Sequence, residues 1–161
     1  MKEKNGEHPL GDAAQLILFG LFMILWILDS FILQRSIFLA NIIPLVLRLI
    51  ILGIALITAV YLFKSGHVVV SAEQRPTTVV ASGAFRYVRH PLYLGSILIY
   101  LGLTVSTASL FCLALLVAIV LFYNYIAAYE EKLLEGKMGE TYIAYEKKTG
   151  KWIPGIGKKR Q

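Results

Sequence analysis

The 161-residue chain is poor in cysteine, in charge and in polar interruptions. Its one cysteine, Cys112, excludes an intrachain disulfide and a cysteine metal cluster. Inside an apolar block that thiol reads as a small packing residue. Asp, Glu, Lys and Arg make up 16% of the chain against 57% apolar residues, too little charge to cover a soluble domain of this size. The apolar residues also come in long blocks, the pattern of membrane spans rather than of a core. His8 and His67 lie in polar segments with no metal-ligand spacing around them, so no metal site is predicted. A glycine-rich dinucleotide fingerprint is lacking too, which argues against reductase chemistry. The first apolar block is too long for a signal-peptide core and has no small-residue cleavage site, so no cleavable signal is predicted. No internal repeat occurs.

What is present predicts an all-α polytopic membrane protein of about four transmembrane helices, one domain over residues 1–161. The predicted spans are 13–33, 42–63, 91–105 and 110–134, followed by a polar, basic extension over 136–161. Pro44 is tolerable near the start of the second span, where the first turn leaves its N–H position unpaired anyway. The third block is short, so its helix begins near His90 or is partly sunk below the surface. Residues 106–109 make a tight turn. From Leu110 neither Gly nor Pro interrupts the chain up to Leu134, which predicts one long helix leaving the membrane with Glu130 and Glu131 on it.

Basic residues set the orientation. Lys2 and Lys4 mark the N-terminus, four basic residues lie in 64–90, and eight lie from Lys132 to Arg160; the opposite turns hold only Arg35. With four spans all three basic segments share one face, so both termini and the long loop are predicted to be cytoplasmic. The basic excess is thus a topology signal, and no nucleic-acid partner is predicted. The compact loops point to a prokaryotic inner membrane, and the oligomeric state is left open. Asp29 and Arg48, intramembrane charges near the outer ends of the first two spans, are predicted to pair at matching depth.

Two segments carry candidate chemistry. In the first, residues 83–95, two arginines, a histidine and two tyrosines sit where the chain enters the bilayer. Each alone has an ordinary anchoring role, but a histidine beside a helix-starting proline has no anchoring advantage over lysine. His90 and Tyr93 share a helical face, and so do Gly95 and Gly102, whose small size permits close approach. In the second, Glu130 and Glu131 stand at a membrane exit near a helix C-terminus, where a carboxylate wants a cation. The tight turn between the third and fourth helices puts their cytoplasmic ends side by side. Donors for a carboxylate then face acceptors for an ammonium, an arrangement suited to the zwitterionic end of an amino acid.

The order Arg89-His90-Pro91-Leu92-Tyr93-Leu94-Gly95, the Glu130-Glu131 pair, the stretch 139–145 and Trp152-Ile153-Pro154 together resemble the isoprenylcysteine carboxyl methyltransferase and phospholipid methyltransferase superfamily. The likeness covers residues 77–154. It implies a membrane-embedded enzyme that uses S-adenosylmethionine to methylate a lipid or prenylated small-molecule acceptor on its carboxylate or amine. By resemblance, His90 and Tyr93 hold the cofactor's methionine end, with the Pro91-Leu92 backbone alongside, and Glu130 and Glu131 receive its amine. Phe85 stands where relatives often have tyrosine. Thr78, Val79 and Val80 match a strand-like stretch that borders the adenosine pocket. Arg89 and Glu130 are the candidate catalytic residues, Arg89 to position an anionic acceptor or the loop itself; no general base is assigned. One departure stands out: Ile126 holds the place where isoprenylcysteine enzymes carry an arginine, which weakens a prenylcysteine carboxylate as acceptor. The alternative is a non-catalytic membrane protein that keeps the fold, and cofactor binding separates the two.

Overall fold

Length decides which helices cross a bilayer. The structure, a computed structural model, describes residues 11–72 and 79–155. Its helices are α1 (Gly11–Ile27), α2 (Leu45–Ala72), α3 (Pro91–Thr107), α4 (Leu110–Met138) and α5 (Glu140–Lys148). α1 runs on into a π-turn at Leu28–Leu33, and short 3-10 turns form at Phe38–Asn41 and Gly83–Arg86. Ala13–Leu33, Leu45–Gly66 and Leu110–Met138 are long and apolar enough to span a hydrocarbon core of about 30 Å. α3, with 17 residues, reaches only about 25 Å at 1.5 Å per residue. Large apolar side chains face outward along these helices, Ile57 at 74% exposed and Leu16 at 73%. Surface of that kind is stable against lipid and not against water. The chain is an all-α polytopic membrane protein.

The observed bounds differ from the sequence expectation: α1 starts at Gly11, and α3 runs to Thr107, leaving only Ala108 and Ser109 of the expected 106–109 turn. The second span begins after Pro44 and continues beyond Phe63 to Ala72, because a lone Gly66 does not stop a helix. The fourth runs on through Gly136 to Met138. The basic extension then folds into α5, which Gly139 starts at φ +55°.

α2 and α3 pack closely because glycines remove side chains where they meet. A Cβ on Gly95 would lie 3.1 Å from the Phe63 ring, and one on Gly102 3.0 Å from Leu52. Gly66 sits against Leu92 in the same way, fixing the start of α3 on α2. α3 turns into α4 through Ala108 in the left-handed region (φ 55°) and Ser109, whose Oγ caps α4 by accepting from the Cys112 N–H at 3.1 Å. The core between the helices is Phe22, Tyr100, Cys112, Leu116, Ile119 and Tyr123.

The end of the bundle that holds the α3–α4 turn is tied by a polar knot. Asp29, 1% exposed, accepts hydrogen bonds from the backbone N–H groups of Arg35 and Ser36, each at 3.1 Å, from Ser36 Oγ, and from Ser109 Oγ at 2.6 Å. Arg48 donates to the carbonyls of Ser106 (2.7 Å), Ile43 (3.2 Å) and Ala40 (3.4 Å). Asp29 and Arg48 therefore do not pair, contrary to the sequence expectation. The π-turn aims Asp29 at the chain's own turn and the α4 cap, and Arg48 answers the carbonyls that turns leave open.

Candidate active site

α4 has 29 residues, and about twenty of them from Leu110 fill the hydrocarbon thickness. Glu130 and Glu131 therefore emerge at the boundary. Opposite them lies the start of α3. Pro91 takes the first helical position, where its missing N–H costs nothing. His90 is the N-cap but makes no side-chain cap bond, so its ring turns toward α4 instead.

The four side chains meet. Tyr93 donates its hydroxyl to Glu130 Oε1 at 2.6 Å, and His90 Nε2 lies 3.2 Å from Glu131 Oε1. His90 Nδ1 faces Glu130 Oε2 at 3.7 Å. The His90 and Tyr93 rings stack with centroids 5.7 Å apart. The start of α3 thus bonds α4 about two turns before its end at Met138, in addition to any ligand held there.

Glu131 is held by cations of the chain itself. Arg89 donates Nε to its Oε1 at 2.8 Å and brings Nη2 equally close, while Lys151 Nζ lies 2.9 Å from Oε2. The Arg89 and Glu131 side chains are 4% and 6% exposed. Arg89 also donates Nη1 to the carbonyls of Thr149 (2.6 Å) and Glu146 (3.2 Å). Its guanidinium is thus occupied by Glu131 of α4 and by the backbone of residues 146 and 149.

The segment after α5 closes over this cluster. Val88 and Gly150 form an isolated parallel β-bridge, with Arg89 N–H donating to the Gly150 carbonyl at 2.9 Å. Trp152 lies against His90, centroids 5.8 Å apart, and donates its indole N–H to Asn124 Oδ1 at 3.2 Å. The Tyr145 hydroxyl donates to the Phe85 carbonyl at 2.6 Å; burial pushes this phenol up to about 12, so it remains a donor. Phe85 is half-buried in its 3-10 turn, and Leu92 packs toward α2. Val79 and Val80 are half-buried with no regular structure, so the strand-like expectation fails there. Thr78 lies outside the described residues. Lys151, Trp152 and the 146–150 backbone were not singled out from sequence as site residues, because only the fold of the tail brings them to α3.

Burial holds the His90 imidazole below its ordinary range, against the opposing pull of the Glu131 carboxylate. The unfolded chain then binds a proton near pH 6.5 that the folded one does not, so stability falls as pH drops through that value. Thermal unfolding in detergent should show this loss, and His90→Asn should remove it. A slope unchanged in His90→Asn would refute the assignment.

Toward the membrane the cluster adjoins a cavity. Tyr93 packs on Tyr123 with centroids 5.2 Å apart. Tyr123 in turn lines a space of about 360 Å³ with Gln15, Leu16 and Phe19 of α1, Phe63 of α2, and Ser96, Ile99 and Tyr100 of α3. Tyr123 was missed in the sequence, although its spacing of seven from Glu130 puts both on one helical face. Among the described residues no group of acidic, histidine or cysteine side chains is arranged to hold a metal.

Comparison with known proteins adds ancestry to this geometry. The chain is 32% identical over 114 residues to the cobalt-zinc-cadmium resistance protein CzcN of Cupriavidus metallidurans, covering 70% of this chain and 51% of that one. It is 34% identical over 92 residues to the protein-S-isoprenylcysteine O-methyltransferase of Schizosaccharomyces pombe, covering 56% and 39%. The chain thus spans about half or less of these curated relatives. No solved structure matches it significantly. Residues 42–141, which run from just before α2 past the glutamate pair into α5, match the phospholipid methyltransferase family model, and the chain belongs to that family.

Proposed function

We propose that this protein transfers a methyl group from S-adenosylmethionine to a lipid-soluble acceptor at the cytoplasmic membrane face. Family membership supports methyl transfer as the reaction class. The observation that carries the reading is the Tyr93–Tyr123 contact, which joins the charged cluster between α3 and α4 to a largely apolar cavity within the membrane. A water-soluble cofactor and a lipid have to meet at such a boundary. The basic residues gathered on the loop and tail support a cytoplasmic site. Docking of α5 and residues 149–152 onto α3 and α4 supports reading the chain as one domain.

The donor set suits the amino-acid end of the cofactor at some positions and not at others. Glu130, its side chain 12% exposed, offers an acid oxygen beside His90 Nδ1 to an ammonium group. The ring faces of Tyr93 and Trp152 suit a sulfonium cation. Glu131 does not suit the amine role that the resemblance implies, because Arg89 and Lys151 already hold its oxygens. In this reading Glu131 and Arg89 position His90 and the 149–152 segment, and Glu130 binds. Bound there, S-adenosylmethionine supplies an electrophilic methyl group and its own thioether leaving group. The chain's tasks are alignment and exclusion of water. Trp152, on His90 and bonded to Asn124, closes one side of the cluster, and Phe63, Ile99 and Phe19 keep the membrane side apolar.

Titration of purified protein with S-adenosylmethionine tests the reading. Glu130→Gln should weaken binding about 10- to 100-fold, the range for losing one hydrogen bond to a charged group. Tyr93→Phe should weaken it less, because the ring stays. Labelled cofactor incubated with a total lipid extract should then place label on a lipid. Undiminished affinity in Glu130→Gln would remove the site assignment, and a wild type that binds no cofactor would remove the function.

A further inference from the structure

The membrane cavity has a polar wall, and that wall is neutral. Four of its eight lining residues are polar: Gln15, Ser96, Tyr100 and Tyr123. Tyr123 of α4 faces this space together with Ser96 and Tyr100 of α3. Gln15 brings an amide to the same space from α1, half-buried. The other four, Leu16, Phe19, Phe63 and Ile99, are apolar. No lining residue carries a charge. The nearby cations Arg89 and Lys151 are bound to Glu131, and buried Ile126 occupies the α4 face one turn before Glu130.

From this composition we infer that the cavity selects a lipid-soluble molecule whose polar end is uncharged, an alcohol, a phenol or a neutral amine. Hydroxyls and a carboxamide both donate and accept, so they satisfy such a group fully. An ion in the same place would lose hydration and meet no opposite charge on any residue that lines the space. The volume holds roughly a dozen water-sized groups, which matches a chain segment of about ten carbons with its head. As the acceptor's identity this rests on the methyl-transfer reading; as a binding preference it does not.

The test uses the full chain in nanodiscs and three ten-carbon probes bearing the same terminal diazirine: an alcohol, a sulfonate and a trimethylammonium. After irradiation, tandem mass spectrometry maps the labelled residues. At equal membrane concentration the alcohol should label cavity residues at least about tenfold more than either ion. Tyr100→Phe should lower that labelling. Gln15→Lys, near the inner end of α1 where a lysine can reach the interface, should shift preference to the sulfonate. Equal labelling by all three probes, preference of the wild type for an ion, or no label in the cavity would overturn the inference. Cofactor titration on the same sample separates the two readings. Alcohol-selective labelling without cofactor binding would remove methyl transfer and keep the selective cavity. Cofactor binding with unselective labelling would do the reverse.

Discussion

Glu131→Ala is expected to destabilise the protein by about 3–5 kcal/mol, the range for removing one partner of a buried ion pair. Exposure decides the size. A surface pair contributes about 0–1 kcal/mol, but the Arg89 and Glu131 side chains are 4% and 6% exposed. Without the carboxylate, the Arg89 guanidinium keeps only its bonds to the Thr149 and Glu146 carbonyls and its approach to Glu146 Oε1 at 3.7 Å. Lys151, 20% exposed, can turn to water and loses less. The double variant Glu131→Ala with Arg89→Met should recover part of the loss, since no buried cation is then stranded. Denaturant unfolding in detergent reads both. If the double variant is as unstable as the sum of the two single ones, the pair is not the source. Cofactor affinity should fall in Glu131→Ala as well, because Arg89 ties the α3 start to the 149–152 segment.

Asp29→Ala is the second large effect, expected at about 3 kcal/mol. It strips four donors of their acceptor: two backbone N–H groups, Ser36 Oγ and Ser109 Oγ. A buried donor left unsatisfied costs about 1–3 kcal/mol. The two serine hydroxyls lie 3.3 Å apart and can bond each other, which holds the total well below four times that figure. Asp29→Asn should cost only about 1 kcal/mol, because its carbonyl oxygen keeps the N–H bonds to residues 35 and 36. Were Asn as damaging as Ala, charge rather than hydrogen bonding would hold the knot, and this account of it would fail. Neither variant touches the candidate site, so cofactor affinity of the folded fraction should be unchanged.

Much of the site was legible because it is local. His90 and Tyr93 lie three residues apart on one helix, Glu130 and Glu131 are adjacent on another, and a tight turn joins the two helices. Helical period and hairpin geometry then bring the two pairs together. The roles were not legible. Whether Glu131 faces a ligand or a cation of the chain depends on Lys151 and Arg89, and only the tail's path brings Lys151 there. The same holds for Asp29 and Arg48: two opposite charges at similar depth suggest a pair, but the π-turn aims Asp29 at Ser36 and Ser109, and Arg48 takes up the carbonyls of Ala40, Ile43 and Ser106.

The sequence by itself determined the class of protein, its apolar helices, the α3–α4 hairpin and the meeting of the hairpin's two arms at Glu130 and His90. These follow from run length, helical period and the scarcity of breakers, properties that act over a few turns of chain. Tertiary structure alone decided which glutamate is held by the protein's own cations, where the tail crosses the α3 start, and that a neutral-walled cavity lies beneath the charged cluster. Those features need groups from α1, α2 and the tail at one point in space. Desolvation and pairing energies are set by such neighbours, and no spacing along the chain encodes them.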